Sequence, residues 1–127
     1  VKHCICATNG WQIPDELMPP ADYTNYLVRD KYTFGDYFLP KHLYQNLLNY
    51  DVSNVEEIEL VGLCTDICVV TNALLFKTYF YFFYDISVDA TCCAGVTPET
   101  HEAALKTMEM RQINVKRDHN EVLPTVQ

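Results

Sequence analysis

The sequence predicts an α/β fold in which a parallel β-sheet carries helices on both faces. Segments with the apolar alternation of strands are followed by segments with helical spacing, and this order repeats along the chain. The 127 residues are 49% hydrophobic, which is sufficient for one domain with its own core. We therefore assign residues 1–127 to a single domain.

Two elements are predicted in the first part of the chain. Residues 23–29 are rich in aromatic and β-branched side chains and predict a strand, with Lys31 just after its end. Residues 40–50 predict a helix that Pro40 begins, with His42 on its exposed side. Sites in open parallel sheets gather at the carboxyl ends of strands, so Lys31 is a candidate site residue. Without that context a solvated surface lysine would be the default interpretation.

Residues 57–79 contain the clearest succession of strand, turn and helix. Apolar residues first alternate as in a strand, and from Cys68 onward they recur at helical spacing. Thr65 and Asp66 are typical helix-capping residues and predict that the helix begins after Cys64. This pattern places Cys64 in the turn and Cys68 in the first turn of the helix.

Further elements are predicted towards the end of the chain. Residues 85–90 predict a strand, and residues 91–96 the loop that follows it. Thr97 and Pro98 are typical of a helix start. Residues 113–115 predict a last short strand.

Composition and charge exclude several classes of partner. The net charge of −8 argues against nucleic acid and against an anionic membrane surface, since both require a basic footprint. The aromatic run at residues 76–84 therefore suits packing at a helix end better than base stacking. No apolar run is long enough to span a membrane, and no signal peptide is visible.

The six cysteines are expected to be reduced thiols in a cytoplasmic protein. Cys4 and Cys6 are two apart, and Cys92 and Cys93 are adjacent, which is unlike a secreted disulfide framework. A zinc site is the alternative for so many cysteines, but the spacings do not match the usual paired pattern.

Cys68 is the candidate nucleophile because of its place at the start of a helix. Free backbone N–H groups and the helix dipole favour an anion there, and the thiolate is the nucleophilic form of cysteine. The backbone N–H groups of Cys64 and Cys68 are candidate donors to an oxyanion. A buried structural cysteine is the commoner role, and position alone favours that alternative.

The segment GLCTDICV resembles the nucleophile segment of the isochorismatase-like cysteine hydrolases, the superfamily that includes nicotinamidases. The resemblance implies a three-layer α/β/α, Rossmann-like fold, a nucleophilic Cys68 and a cis peptide bond at Leu63–Cys64. The segment DKYTFGDYF resembles the one that carries the family's catalytic lysine, which implies that role for Lys31. The segment VDATCCAGVTPETHEAAL resembles the family's strand, loop and helix, in which we assign His101 a structural role.

Two further motifs concern a metal and an acid. The segment HCICATNGW resembles the metal-binding segment of nicotinamidase-type members. This implies that His3 is a ligand of a divalent metal such as zinc, with a structural histidine as the alternative. The family's third catalytic residue, an aspartate in a segment resembling D-x-Q-x-D-F, has no match. We therefore expect the chain to be the C-terminal portion of an enzyme, inactive as it stands.

The expected activity is that of a cysteine hydrolase acting on the C–N bond of a small amide such as nicotinamide, through a cysteine thioester. We expect a homo-oligomer. Vinyl-ether hydrolysis, as in isochorismatase, is an alternative that needs no cysteine, so Cys68 favours amide chemistry. A catalytically silent domain used for assembly is the third possibility.

Overall fold

The computed structural model describes residues 2–24, 26–49 and 55–118. The chain consists of two compact units, Val1–Asp30 and Lys31–Gln127. The regular secondary structure among the described residues of the first unit is a short 3₁₀ helix at Asp15–Leu17. None of the helices in the described part of the chain is long and apolar enough to cross a membrane.

The second unit is an α/β fold built on a parallel three-stranded sheet. Its helices are α1 (Leu39–Asn49), α2 (Val70–Phe80) and α3 (Pro98–Glu109), and its strands are β1 (Glu57–Leu63), β2 (Asp85–Ala94) and β3 (Asn114–Lys116). A π-helical turn, Thr65–Val69, joins β1 to α2. The strand order is β1-β2-β3, and both pairings are parallel. The predicted class, a parallel sheet with flanking helices, is therefore confirmed.

The core lies between the apolar face of the sheet and the helices. Ile86 and Val88 of β2 are fully buried and pack against Phe80 of α2 and Met108 of α3. Burying apolar side chains of this size contributes about 1.5–3 kcal/mol each. The site described below is thus attached to a well-packed scaffold.

Most of the predicted elements are present with small shifts of their ends. The helix predicted at residues 40–50 begins one residue earlier, and its last predicted residue lies outside the described residues. His42 is exposed, as predicted. Thr97 caps α3, since its hydroxyl accepts from the Thr100 N–H (3.2 Å) while the Thr100 hydroxyl accepts from the Thr97 N–H (3.1 Å).

The aromatic run divides between the core and the surface. Phe76 and Phe80 are buried at the end of α2, whereas Tyr81, Phe82 and Phe83 form an exposed turn before β2. The predicted packing at a helix end, followed by a loop into the next strand, is confirmed.

One predicted strand and the predicted end of another are wrong. Residues 23, 24 and 26–30 form no strand, because aromatic and β-branched content gives a strand only where a neighbouring strand can pair with it. Residues 91–94, predicted to be loop, extend β2. They do so because Cys93 and Ala94 pair with Gly62 and Leu63 after a register shift in β1. Gly62 has φ +121°, a conformation that favours glycine.

Candidate active site

The site begins where β1 ends. The Leu63–Cys64 peptide bond is cis, as the resemblance implied. Cys64 precedes the π-helical turn, and its carbonyl accepts from the N–H groups of Ile67 and Val69, both at 3.1 Å. Cys68 lies within that turn and is partly buried. Cys64 thus lies between β1 and the turn that carries Cys68, outside the helical residues as predicted, whereas the oxyanion role of the two N–H groups stays a prediction.

The predicted capping by Thr65 and Asp66 is wrong. The turn begins after an extended Cys64, whose side chain makes no capping hydrogen bond. Thr65 is fully buried instead, with its hydroxyl 2.8 Å from His101 Nδ1 on α3. This contact agrees with a structural role for His101. Thr65 therefore links the π-helical turn Thr65–Val69, the nucleophile turn, to α3.

Asp66 connects the same turn to the loop before α3 through hydrogen bonds. Its carboxylate accepts from the Val96 N–H through both oxygens, at 3.1 and 3.2 Å. The Thr100 hydroxyl and the Val96 N–H favour the ionised form, and together they hold the pKa of the Asp66 carboxyl below its usual range. Asp66 thus acts on the position of the turn and not as a helix cap.

Lys31 meets Cys68 directly. Its Nζ lies 3.3 Å from Cys68 Sγ and also donates to the Thr33 carbonyl at 3.1 Å. The prediction that the amine lies near the sulfur is confirmed. The predicted route, from the end of a strand, is wrong, because residues 23, 24 and 26–30 form no strand. The bent segment of residues 31–36, the lysine turn, supplies the lysine instead.

This turn docks closely on α2. A Cβ atom at Gly35 would lie 2.7 Å from Thr71 Cγ2 and 3.0 Å from Leu75 Cδ1, so only glycine fits without displacement. On either side of Gly35, the backbone of Phe34 and Asp36 is hydrogen bonded to the Asn72 side chain. The lysine and the nucleophile are brought together by this contact.

Asn72 is the site residue that sequence reasoning missed. It lies within the helical segment predicted after Cys68, and the sequence pattern assigned it no role. A signal was present, however, because asparagine is unfavourable inside a helix unless its side chain has hydrogen bonds that hold it there. Here it has three such bonds.

The other thiols do not compete with Cys68 for Lys31. All six cysteines are free, so no disulfide joins Cys64 to Cys68. Cys92 is exposed, and burial raises the pKa of the Cys93 thiol. In the described residues, the side-chain partner of the Lys31 amine is Cys68.

The described residues do not supply a metal site by themselves. No group of three His, Cys, Asp or Glu side chains in residues 2–24, 26–49 and 55–118 could hold a metal ion. His3 is exposed. Its assignment as a metal ligand stays a prediction, and the chemistry below does not use a metal.

The chain was compared with known proteins. The family model "Isochorismatase domain" matches residues 1–117. No match was found among curated proteins. Among solved structures, the nicotinamidase from Staphylococcus aureus is 28% identical with a TM-score of 0.54, and the match covers 70% of this chain and 52% of that one.

Two further structures match with higher TM-scores. The nicotinamidase/pyrazinamidase from Bacillus subtilis is 25% identical with a TM-score of 0.67, covering 92% of this chain and 63% of that one. The pyrazinamidase from Pyrococcus horikoshii, solved in complex with zinc, is 23% identical with a TM-score of 0.67, covering 92% and 62%. At that identity it shows the shared fold alone. This chain spans less than two thirds of the length of these proteins.

Proposed function

The chain belongs to the isochorismatase domain family, and on that premise we propose that it provides the nucleophile and lysine of a cysteine hydrolase. The proposed reaction is cleavage of the C–N bond of a small amide such as nicotinamide. The observation that carries the proposal is the 3.3 Å contact between Lys31 Nζ and Cys68 Sγ. The similarity to the S. aureus and B. subtilis nicotinamidases supports the choice of substrate class.

Cys68 forms the covalent intermediate in this proposal. Its sulfur attacks the amide carbonyl carbon, the C–N bond breaks, and the thiol proton leaves with the amine as ammonia. Water then cleaves the thioester, which releases the carboxylic acid and restores the thiol. A nearby ammonium favours the thiolate over the thiol, which is the proposed role of Lys31.

The backbone of the nucleophile turn stabilises the reacting carbonyl oxygen. We assign this role to the N–H groups of Cys64 and Cys68, which lie at the start of a helical segment where backbone donors favour negative charge. The Cys64 side chain takes no part, because only its main chain is used. Transfer of the thiol proton needs an acid–base group, and the aspartate motif that would supply it has no match in the sequence.

The test therefore addresses the thiol first. The chain is treated with iodoacetamide at about pH 6, where an ordinary thiol is almost fully protonated, and labelling of each cysteine is followed by mass spectrometry. We expect Cys68 to react faster than Cys92, an exposed thiol that serves as internal control. Equal rates for the two would refute an activated nucleophile.

Two substitutions separate the adjacent cysteines. Cys64→Ala should leave Cys68 labelling unchanged, since the main chain of residue 64 is kept. In an enzyme that also supplies the catalytic aspartate, Cys68→Ser should remove turnover, because an alkoxide is far harder to form than a thiolate at neutral pH. In that enzyme the thioester is detected as an acyl group located on Cys68 by fragment-ion mass spectrometry after incubation with nicotinamide. An acyl group on any other cysteine would show that the nucleophile has been misassigned.

The expected homo-oligomer is likewise a proposal. Sedimentation of the purified chain at several concentrations measures its mass directly. A mass equal to one chain at all concentrations would contradict it.

A further inference from the structure

The side chain of Asn72 contacts both halves of the candidate site. Its Nδ2 donates to the Cys68 carbonyl at 2.7 Å, within the nucleophile turn. The same nitrogen donates to the Phe34 carbonyl at 3.2 Å, and Oδ1 accepts from the Asp36 N–H at 2.9 Å. One amide group thus binds residues that are more than thirty positions apart in sequence.

The three hydrogen bonds fix the orientation of this amide. Nδ2 faces two carbonyl oxygens, and Oδ1 faces one N–H group. Turning the amide over would place an oxygen against two acceptors and a nitrogen against a donor, so only one orientation satisfies every group. Asn72 is therefore held rigidly, and it holds its partners in turn.

The lysine depends on the segment that Asn72 holds. Thr33, whose carbonyl accepts from the Lys31 amine, immediately precedes the bonded Phe34. Asp36, at the other end, is nearly buried, and its carboxylate accepts from the Phe38 N–H just before α1. The lysine turn is thereby bonded twice to Asn72 of α2, and its last residue is bonded to the residue that precedes α1.

We propose that Asn72 is a positioning residue, which sets the distance between the Lys31 amine and the Cys68 sulfur by bonding the lysine turn and the nucleophile turn to one amide. The inference rests on the proposed function, since it assigns a role to the same pair. It predicts that loss of the amide weakens thiol activation while the fold and the thiol itself remain.

The experiment compares four variants of the full chain by the rate of Cys68 alkylation. Asn72→Ala removes all three bonds. Asn72→Ser keeps a hydroxyl that can bond the Cys68 carbonyl but is too short to reach the lysine turn. Thr78→Ala is the matched control, because Thr78 makes the same kind of bond on α2, to the Leu74 carbonyl at 2.8 Å, without contacting the site. Lys31→Met sets the limit for complete loss of the ammonium.

Labelling is measured at about pH 6, where an ordinary thiol is almost fully protonated, and at about pH 9, where it is largely ionised. We expect Lys31→Met to slow labelling at the lower pH by about eightfold or more, the value for unit charges 3.3 Å apart in a water-like dielectric. Asn72→Ala and Asn72→Ser should both slow Cys68 labelling at the lower pH by a large part of the factor expected for Lys31→Met. At the higher pH both should label at nearly the parental rate. Thr78→Ala should match the parent at both.

The outcomes separate the inference from the function on which it rests. An unchanged rate in Lys31→Met would overturn the proposed pair and the inference together. A slow Lys31→Met beside a normal Asn72→Ala would overturn the inference alone. A normal Asn72→Ser beside a slow Asn72→Ala would also overturn it, because the helix-internal bond would then suffice. Circular dichroism verifies folding, and Asn72→Ser provides the test if the alanine variant does not fold.

Discussion

Gly35→Ala should separate the lysine turn from α2 without changing any polar group of the site. The added Cβ would lie 2.7 Å from Thr71 Cγ2, whereas ordinary contacts begin at 3.4 Å. The Thr71 methyl cannot easily turn away, because the hydroxyl on the same carbon is bonded to the Ile67 carbonyl at 2.5 Å. The turn and the helix must therefore move apart by the difference, about 0.7 Å.

This displacement has a calculable effect on the thiol. If it lies along the line from Lys31 Nζ to Cys68 Sγ, the separation grows from 3.3 Å to about 4 Å. The attraction between the two charges then falls by about a sixth, which corresponds to an expected fall in the labelling rate of about 1.5-fold at a dielectric constant near 80 and about fourfold near 20. Because Lys31 is exposed, the smaller factor is the better estimate. Crowding of the partly buried turn should also cost about 1–3 kcal/mol of stability.

The assay is again Cys68 alkylation at about pH 6, with urea unfolding measured in parallel. Gly10→Ala is the matched control, because a Cβ there meets nothing within 4 Å. We expect the rates to fall in the order Gly10→Ala, Gly35→Ala, Lys31→Met. A Gly35→Ala protein with parental stability and a parental labelling rate would refute the close approach of turn and helix.

Two further predictions concern the other side of the nucleophile turn. Gly95→Ala should lower the free energy of unfolding by about 1–3 kcal/mol, since the new Cβ would lie 2.9 Å from the backbone Cα of His101, which cannot turn away. Urea unfolding measures this, with the same glycine control. Asp66→Asn should destabilise the protein at neutral pH, because the Thr100 hydroxyl and the Val96 N–H favour the carboxylate and lower its pKa. Since a lowered pKa stabilises the fold only while the group is ionised, the difference from the parent should shrink as the pH falls below 3.8, and a difference independent of pH would contradict this account.

The sequence allowed the central elements of the fold to be predicted because they depend on local patterns. The strand before Cys64 and the helix after Cys68 follow from apolar spacing, and the cap at Thr97 follows from residue type. The strand at residues 91–94 could not be predicted this way, because it exists through pairing with β1 after a register shift. Its own residues carry the features of a loop.

The sequence predicted the reactive residues of the candidate site but not the residues that position them. Resemblance pointed to Cys68 and Lys31, and the structure places them in contact. Thr65 and Asp66 were interpreted locally, as caps, although their partners lie thirty or more positions away on another element. Asn72 was missed for the same reason. Local periodicity carries no information about contacts between distant segments, and those contacts position this site.

The lysine is held by a turn on the surface of α2, and this has a consequence for how the protein fails under stress. Segments with few buried apolar contacts open at lower free energy than the core to which they are attached. The turn around Gly35 can therefore detach while Phe80, Ile86 and Met108 remain packed. The Lys31-dependent labelling of Cys68 should then be lost below the melting temperature of the sheet, and it should return on cooling as long as the core is intact.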